Sequence, residues 1–279
     1  MDSVALYGSD VGKISSMATD LAEDGLEKLR LDLIKEAADL CILAEDTPLP
    51  PLCIINHKIP IIDESKVYSF KPSRCPEALK PQWRVKQDKN LQMGRWEYYV
   101  GNNAIPMLLI NKRLGPNGEL RLRTMFDERE RNVNTKKMTS PLPDQQTILM
   151  NVCRHQYRTL INCRDAYESC QVELADVWRT LFNTPDGTMI SNIMQIGNCN
   201  APAMYQTLMN HLFSGYISVF MDVYLDNIGI YLDSIKDHLK HCRIVVDILC
   251  REKLYLATTD KPSRDAARRS WILKSHRGL

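Results

Sequence analysis

One acid stands where two apolar runs turn back on each other. Ile217 to Tyr224 and Ile228 to Leu232 read as strands, with Leu225-Asp226-Asn227 as a tight turn between them. Asp-Asn pairs favour turns in any case, so a plain turn is one reading. An acid at a hairpin tip is also oddly placed for stability. Upstream, Asn162-Cys163-Arg164-Asp165-Ala166-Tyr167 closes a further predicted strand, Tyr157 to Asn162. His238 and His241 offer a second constellation at i, i+3 on a predicted helix. No third ligand accompanies them, so they read as a solvated helix face.

The elements around these residues follow from local signals. Asp20 is placed to cap a helix over 20–44, with Leu26, Leu29, Leu33, Ala37 and Leu40 near one face. It reads as a linker helix with a solvated acidic face, a protein-docking helix being the alternative. Thr47-Pro48-Leu49-Pro50-Pro51 then marks a boundary. Residues 52–105 read as short extended runs. Ile105 to Ile110 and Glu119 to Phe126 form a predicted hairpin about Gly115-Pro116-Asn117-Gly118, with Lys112, Arg113, Arg121 and Arg123 close to its tip. Pro141, Pro143 and Asp144 open a helix to about Arg154. Asn200 is placed as the N-cap of a helix to about Phe213, with Pro202 in its first turn. Ser234 and Asp237 suit the start of a helix that carries Ile235, Leu239, Cys242, Val246 and Leu249 on one face. Strands and helices mix without βαβ alternation, which predicts an α+β fold with an antiparallel sheet.

Composition narrows the setting. Residues 1–50 carry eleven acids against Lys13, Lys28, Arg30 and Lys35, a balance of −7; the rest of the chain is +9, leaving +2. That asymmetry suits a polyanionic partner. Nine cysteines at irregular spacings, with no CxxC pair, exclude a disulfide framework or a zinc motif and predict a reducing, intracellular compartment. No apolar run approaches the roughly 20 residues that span a bilayer, and no membrane partner is expected.

Taken in order, several stretches resemble the reverse transcriptases of gypsy-type LTR retrotransposons, the fungal members above all. They are Ile55 to Pro60, Pro72 to Glu77, Gly94 to Glu97, Pro106 to Ile110, Glu128 to Asn132, Thr139 to Asp144, Asp165 to Glu168, Thr184 to Gly187, Asn200 to Ala203 and Met221 to Asn227. Each is weak alone; the ordered set, over about residues 50–256, is specific. The resemblance implies a right-hand polymerase architecture, with an antiparallel palm sheet and helices packed on one of its faces. It divides the chain into an acidic N-terminal segment with a linker helix (1–50), fingers (51–140), a palm (141–256) with a fingers insertion near 170–200, and a disordered basic tail (257–279). That tail carries six basic residues from Lys261 onward and could touch phosphate backbones.

The family polymerises DNA from deoxynucleotides on an RNA or DNA primer–template, using two magnesium ions held by three palm aspartates. The matching positions here are Asn162, Asp226 and Asn227, so one carboxylate remains and the local charge falls from −3 to −1. Loss of one preorganised electrostatic group costs an enzyme roughly 10²–10³ in rate, so a catalytically impaired site is expected. Asp165 and Asp222 lie outside the metal positions of the family pattern. Lys112 and Arg121 resemble the fingers residues that contact the triphosphate. Tyr167 resembles the aromatic that stacks under the sugar, and Gln195 and Gly197 resemble the family's loop lining the nucleotide pocket, buried structural packing being the alternative for these two. No thumb or RNase H pattern follows Leu256, so the chain reads as truncated. The alternative is a non-catalytic nucleic-acid-binding or scaffolding protein that keeps the fold.

Overall fold

A computed structural model describes residues 25–42, 46–112, 120–256 and 271–275. Among the described residues, nine strands form two sheets. β1 (Trp96–Tyr98), β2 (Ile105–Lys112), β3 (Arg121–Phe126), β5 (Phe182–Thr184) and β6 (Gly187–Ser191) make one, in the order β1-β6-β5-β2-β3. β4 (Tyr157–Asn162), β7 (Met221–Tyr224), β8 (Asn227–Leu232) and β9 (Trp271–Ser275) make the other, in the order β7-β8-β4-β9. Every pairing is antiparallel except β2 with β5. The helices are α1 (25–36), α2 (Lys80–Gln92), α3 (Arg129–Val133), α4 (Gln145–Arg154), α5 (Ala201–Leu212) and α6 (Ile235–Arg251). None is long and apolar enough to cross a membrane.

Alternation along the second sheet separates its two faces. Ile161, Met221, Val223, Ile228 and Ile230 point into one core together with Met204, Tyr205 and Leu208 of α5 and Val245, Val246 and Leu249 of α6. Both helices therefore cover that face, as expected. Asn162, Asp222 and Asn227 alternate onto the other face, where α4 lies: a Cβ on Gly229 would meet Val152 at 3.4 Å. Asp144 caps α4 by accepting from Thr147 N at 2.9 Å, and Ser234 caps α6 by accepting from Asp237 N at 3.4 Å.

The structure departs from the sequence reading in several places, one of them the strand expected from Ile217, which begins only at Met221. Leu33, Ala37 and Leu40 are buried in the core beneath the second sheet, and Glu36 pairs with Arg243 of α6 at 2.8 Å, so α1 is docked rather than a solvated linker. It ends at residue 36 and passes into a 3-10 turn (Ala38–Leu40); the expected Asp20 cap lies outside the described residues. The sequence reading gave no helix at 80–92, where α2 forms. Asn200 does not cap α5: its Oδ1 accepts from Met138 N and its Nδ2 donates to Lys136 O, each at 2.9 Å. Residues 271–275 pair with β4 instead of being disordered, because that edge offers unpaired backbone groups to an apolar stretch beginning Trp271-Ile272-Leu273. The Gly115–Gly118 turn falls outside the described residues.

Candidate active site

Strand register assembles the three positions singled out in the sequence. Tyr224 pairs with Asn227 across a two-residue turn, Leu225-Asp226, and Asn227 pairs with Asn162 on β4. Leu225 takes φ 53°, a left-handed value that costs a side-chain-bearing residue about 1–3 kcal/mol and persists only where neighbours enforce it. The side chains then close on one another. Asn162 Nδ2 donates to Asp226 Oδ2 at 3.2 Å and to Asn227 Oδ1 at 3.0 Å, and Asn227 Nδ2 donates to Asp226 Oδ1 at 3.0 Å. A carboxylate can only accept, so each amide turns its nitrogen toward it. Cys163 N completes the link by donating to Asp226 O at 2.7 Å.

This donor set does not fit a two-magnesium centre. Both oxygens of the lone carboxylate accept amide hydrogens, and the Asn227 amide oxygen is occupied by Asn162. Magnesium demands near-octahedral hard-oxygen ligation and is reluctant to shed water for neutral donors. The nearby acids are engaged elsewhere. Asp222 is buried and accepts from Asn151 Nδ2 and from the Tyr231 hydroxyl, each at 2.9 Å. Burial and that carboxylate together push the Tyr231 hydroxyl well up. Asp165 is exposed and lies 3.5 Å from Arg164. Among the described residues no group of three or more His, Cys, Asp or Glu side chains could hold a metal.

Gln206, which the sequence reading did not single out, enforces the strained turn. Fully buried on α5, it accepts from Leu225 N at 2.7 Å and donates to Val223 O at 3.2 Å and Asn210 Oδ1 at 2.8 Å. A glutamine among Met204, Tyr205, Leu208 and Met209 on a buried helix face was the available signal, since such groups are kept only when bonded. Gln206→Met should cost about 1–3 kcal/mol by stranding those backbone groups. The denaturant midpoint measures this, and a loss below that range would show that the turn does not depend on the clamp.

Tyr167 lies beside the triangle, half-buried, its ring edge-on to Tyr205 at 5.9 Å. Burial first, and the Asp226 charge second, raise its hydroxyl above the usual tyrosine range. Gln195 and Gly197 make their contacts with α3 and the segments beside it. Gln195 is buried, accepting from Arg131 Nη1 at 2.7 Å and donating to Thr180 O at 3.0 Å. Gly197 has φ 110°, and a Cβ there would meet Phe126 O and Glu128 Cγ at 3.3 Å; its carbonyl accepts from Asn132. Packing of the loop against α3 accounts for these two residues.

Lys112 and Arg121 face each other at the open end of the β2–β3 ladder, with Arg121 exposed. Gln82 of α2 covers that edge, accepting from Leu122 N at 2.8 Å and donating to Leu120 O at 2.7 Å. His238 and His241 are not on a solvated face. His238 is fully buried with its Nε2 2.8 Å from Thr159 Oγ1, and His241 stacks on Phe220 at 3.9 Å.

Residues 110–259 match the family described as "Reverse transcriptase (RNA-dependent DNA polymerase)". The chain is 28% identical over 203 residues to the retrovirus-related Pol polyprotein from transposon 297 of Drosophila melanogaster, covering 72% of this chain and 19% of the relative. It is 23% identical to the transposon Tf2-7 polyprotein of Schizosaccharomyces pombe, covering 81% of this chain and 17% of that one. An "RNA-directed DNA polymerase homolog" of Oenothera berteroana is 30% identical over 46% of this chain and 92% of its own length. Among solved structures, the foamy viral protease–reverse transcriptase in complex with RNA/DNA hybrid is similar, with TM-score 0.68 and 19% identity over 84% of this chain and 30% of that one. This likeness establishes the α+β fingers-and-palm fold, with the β4–β7–β8 sheet as palm. The chain thus spans under a fifth of the two transposon polyproteins.

Proposed function

Because the chain belongs to the reverse transcriptase (RNA-dependent DNA polymerase) family, we propose that it is the fingers-and-palm region of a gypsy-type, fungal-like LTR retrotransposon polyprotein whose polymerase centre is catalytically impaired. The observation that carries the reading is the closed triangle of Asn162, Asp226 and Asn227, with amide nitrogens where metal ions would need anionic oxygens. Two losses within one cooperating unit do not add, yet each alone removes a large electrostatic contribution. The ancestral reaction is nucleotidyl transfer from deoxynucleotides to a primer. Lys112 and Arg121 are the residues proposed to meet the triphosphate, and Tyr167 the sugar. The fingers are assigned to 51–140 and the palm to 141–256. The insertion near 170–200 is supported by β5 and β6 joining the first sheet. The basic balance after residue 50 suits a primer–template partner, and nine free cysteines suit an intracellular setting.

The same triangle favours a second reading for the chain as it stands: a nucleic-acid-binding or scaffolding protein on this fold. With one carboxylate in place of three, the turn needs no cation to relieve repulsion. Primer extension with magnesium and deoxynucleotides should give no product above background. Product that disappears in Asp226→Ala would overturn the impairment. Thermal melting gives a second readout that needs no primer. The double revertant Asn162→Asp, Asn227→Asp should gain melting temperature on adding magnesium, and the natural chain should not.

A further inference from the structure

The outer edge of β4 is filled by two separate pieces of the same chain. Backbone groups along β4 alternate between its neighbours: Cys163 N donates to Asp226 O on the β8 side, and Arg164 N donates to Tyr255 O on the opposite side. Counting back in twos, Leu160 and Arg158 face that second side. β9 pairs there, antiparallel, with Ile272 opposite Leu160 and Lys274 opposite Arg158. Those two residues of β9 therefore carry its ladder bonds. Leu256 stands opposite Cys163, and Trp271 opposite Ile161. A strand running on from Leu256 would bring Thr258 to Ile161, yet Trp271 is there instead. The continuation, Thr258-Thr259-Asp260-Lys261-Pro262, has no apolar residue and ends on a proline, whereas Trp271-Ile272-Leu273 is made of apolar residues led by two strong strand formers. The edge has thus taken a segment for its strand chemistry and not for its nearness in the chain.

The tether does not fix which copy supplies that segment. Residues 257–270, fourteen of them, join Leu256 to Trp271. In cis they return to the same edge two residues along β4, about 7 Å away, although a tether of that length can span up to roughly 50 Å. A second copy carries the same five residues and can make the same ladder bonds in the same register. We infer that β9 is an exchangeable strand, and that two copies of this chain pair by each laying its residues 271–275 along the β4 of the other. Such a dimer is isologous, because each copy gives and receives the same strand. The bonds are equal in cis and in trans, so concentration sets the balance. A short flexible tether holds its strand at an effective concentration on the order of 1 mM. Closure in cis therefore prevails in dilute solution, and exchange sets in when the chain folds near that concentration.

The test uses the whole chain and a labelled peptide of residues 269–277, which stands for the strand of a second copy. Ile272→Pro removes a ladder donor from β9 and so vacates the edge. By fluorescence anisotropy this variant should bind the peptide at least about tenfold more tightly than the natural chain, whose own β9 competes from within. A peptide that itself carries Ile272→Pro should bind neither chain. The natural chain, refolded at about 1 mM and then diluted, should show a dimer by light scattering that the same chain refolded at about 1 μM lacks. Excess peptide present during refolding should abolish that dimer. This second measurement decides the matter even where melting shows Ile272→Pro to be unfolded. Absence of peptide binding by a folded Ile272→Pro chain would overturn the inference, and so would equal binding by the two chains or of the two peptides. A natural chain that stays monomeric after refolding at both concentrations would overturn it, as would a dimer that excess peptide leaves intact.

Discussion

Arg131→Met should destabilise the fold by about 3–5 kcal/mol, the cost of removing one partner from a buried ion pair. Arg131 is fully buried on α3, its Nη1 donating to Glu128 Oε1 at 2.8 Å and to Gln195 Oε1 at 2.7 Å, and its Nη2 to Leu181 O at 2.7 Å. Glu128 is 2% exposed, and burial raises its carboxyl despite the arginine. Without Arg131 that carboxylate stays in the interior with nothing to offset its desolvation. The Thr180–Leu181 segment and the Gln195 loop also lose their shared anchor. Against a total stability of about 5–15 kcal/mol, the urea midpoint should fall sharply. The double variant Arg131→Met, Glu128→Leu should recover much of the loss, because an apolar pair of similar volume removes the stranded charge. A single variant within 1 kcal/mol of the natural chain, about the most an exposed pair contributes, would show that this cluster does not tie the Gln195 loop and the Thr180–Leu181 segment to α3.

The palm was legible because its signals are local and agree. Tyr157 to Asn162 alternates and lies between turn residues, the Asp144 and Ser234 caps precede amphipathic helices, and Leu225-Asp226 is the shortest hairpin connection. Helix α2 was not legible, since the positions it buries are Trp83, Gln87 and Asn90, two of them amides. They show no apolar periodicity. Gln87 is satisfied by Tyr98, outside the helix, and Asn90 by the carbonyl of Lys86 one turn back, bonds that form only once the helix exists. Asn200 misled for a related reason. A residue with cap chemistry at a helix start found better partners in the segment at 136–138, and tertiary bonds override local preference.

The site divides in the same way. Which three positions meet follows from strand order and register, so Asn162, Asp226 and Asn227 could be named in advance. How they meet could not. The spacing of two asparagines and an aspartate does not say that the amides turn inward and close on the carboxylate. Gln206 and Asp222 were visible as polar residues in apolar runs. Their roles as turn clamp and buried acceptor depend on Leu225, Asn151 and Tyr231, which lie 9 to 71 residues away or face them across the helix–sheet interface.

Mild acid should destabilise this fold steeply, starting well above the carboxylate range. Burial first, and the Arg131 charge second, lower His57 from 6.5 to about 4; burial first, and His241 second, lower His238 from 6.5 to about 4. Both rings of this kind are neutral in the folded chain at pH 5, while in the unfolded chain they are protonated. Folded values below unfolded ones mean that the unfolded state binds more protons in this window. Stability is therefore full above pH 6.5, falls as pH drops toward about 4, and loses nothing more from these groups below that. The gap is worth about 3 kcal/mol for each ring. His241, also lowered by burial, adds in the same direction. Glu128 opposes the trend, since a raised carboxyl favours the folded chain as pH falls. Carboxylates held low by hydrogen bonds, such as Asp127 by Arg129 and Asp144 by Thr147, begin to lose their contribution only as pH falls into the usual carboxylate range, so they add at the acid end of this window and leave the rest of it to the histidines. Both His57 nitrogens lack a partner, as does His238 Nδ1, so neither ring has a carboxylate to receive its proton's charge. Chemical denaturation across pH 7.5 to 4.5 should show the slope of about two excess protons in the unfolded state. His238→Gln, which can keep the bond to Thr159, should lower that slope by nearly one proton whatever its effect on stability at neutral pH. An unchanged slope in that variant would mean that His238 is already protonated, or solvated, in the folded palm.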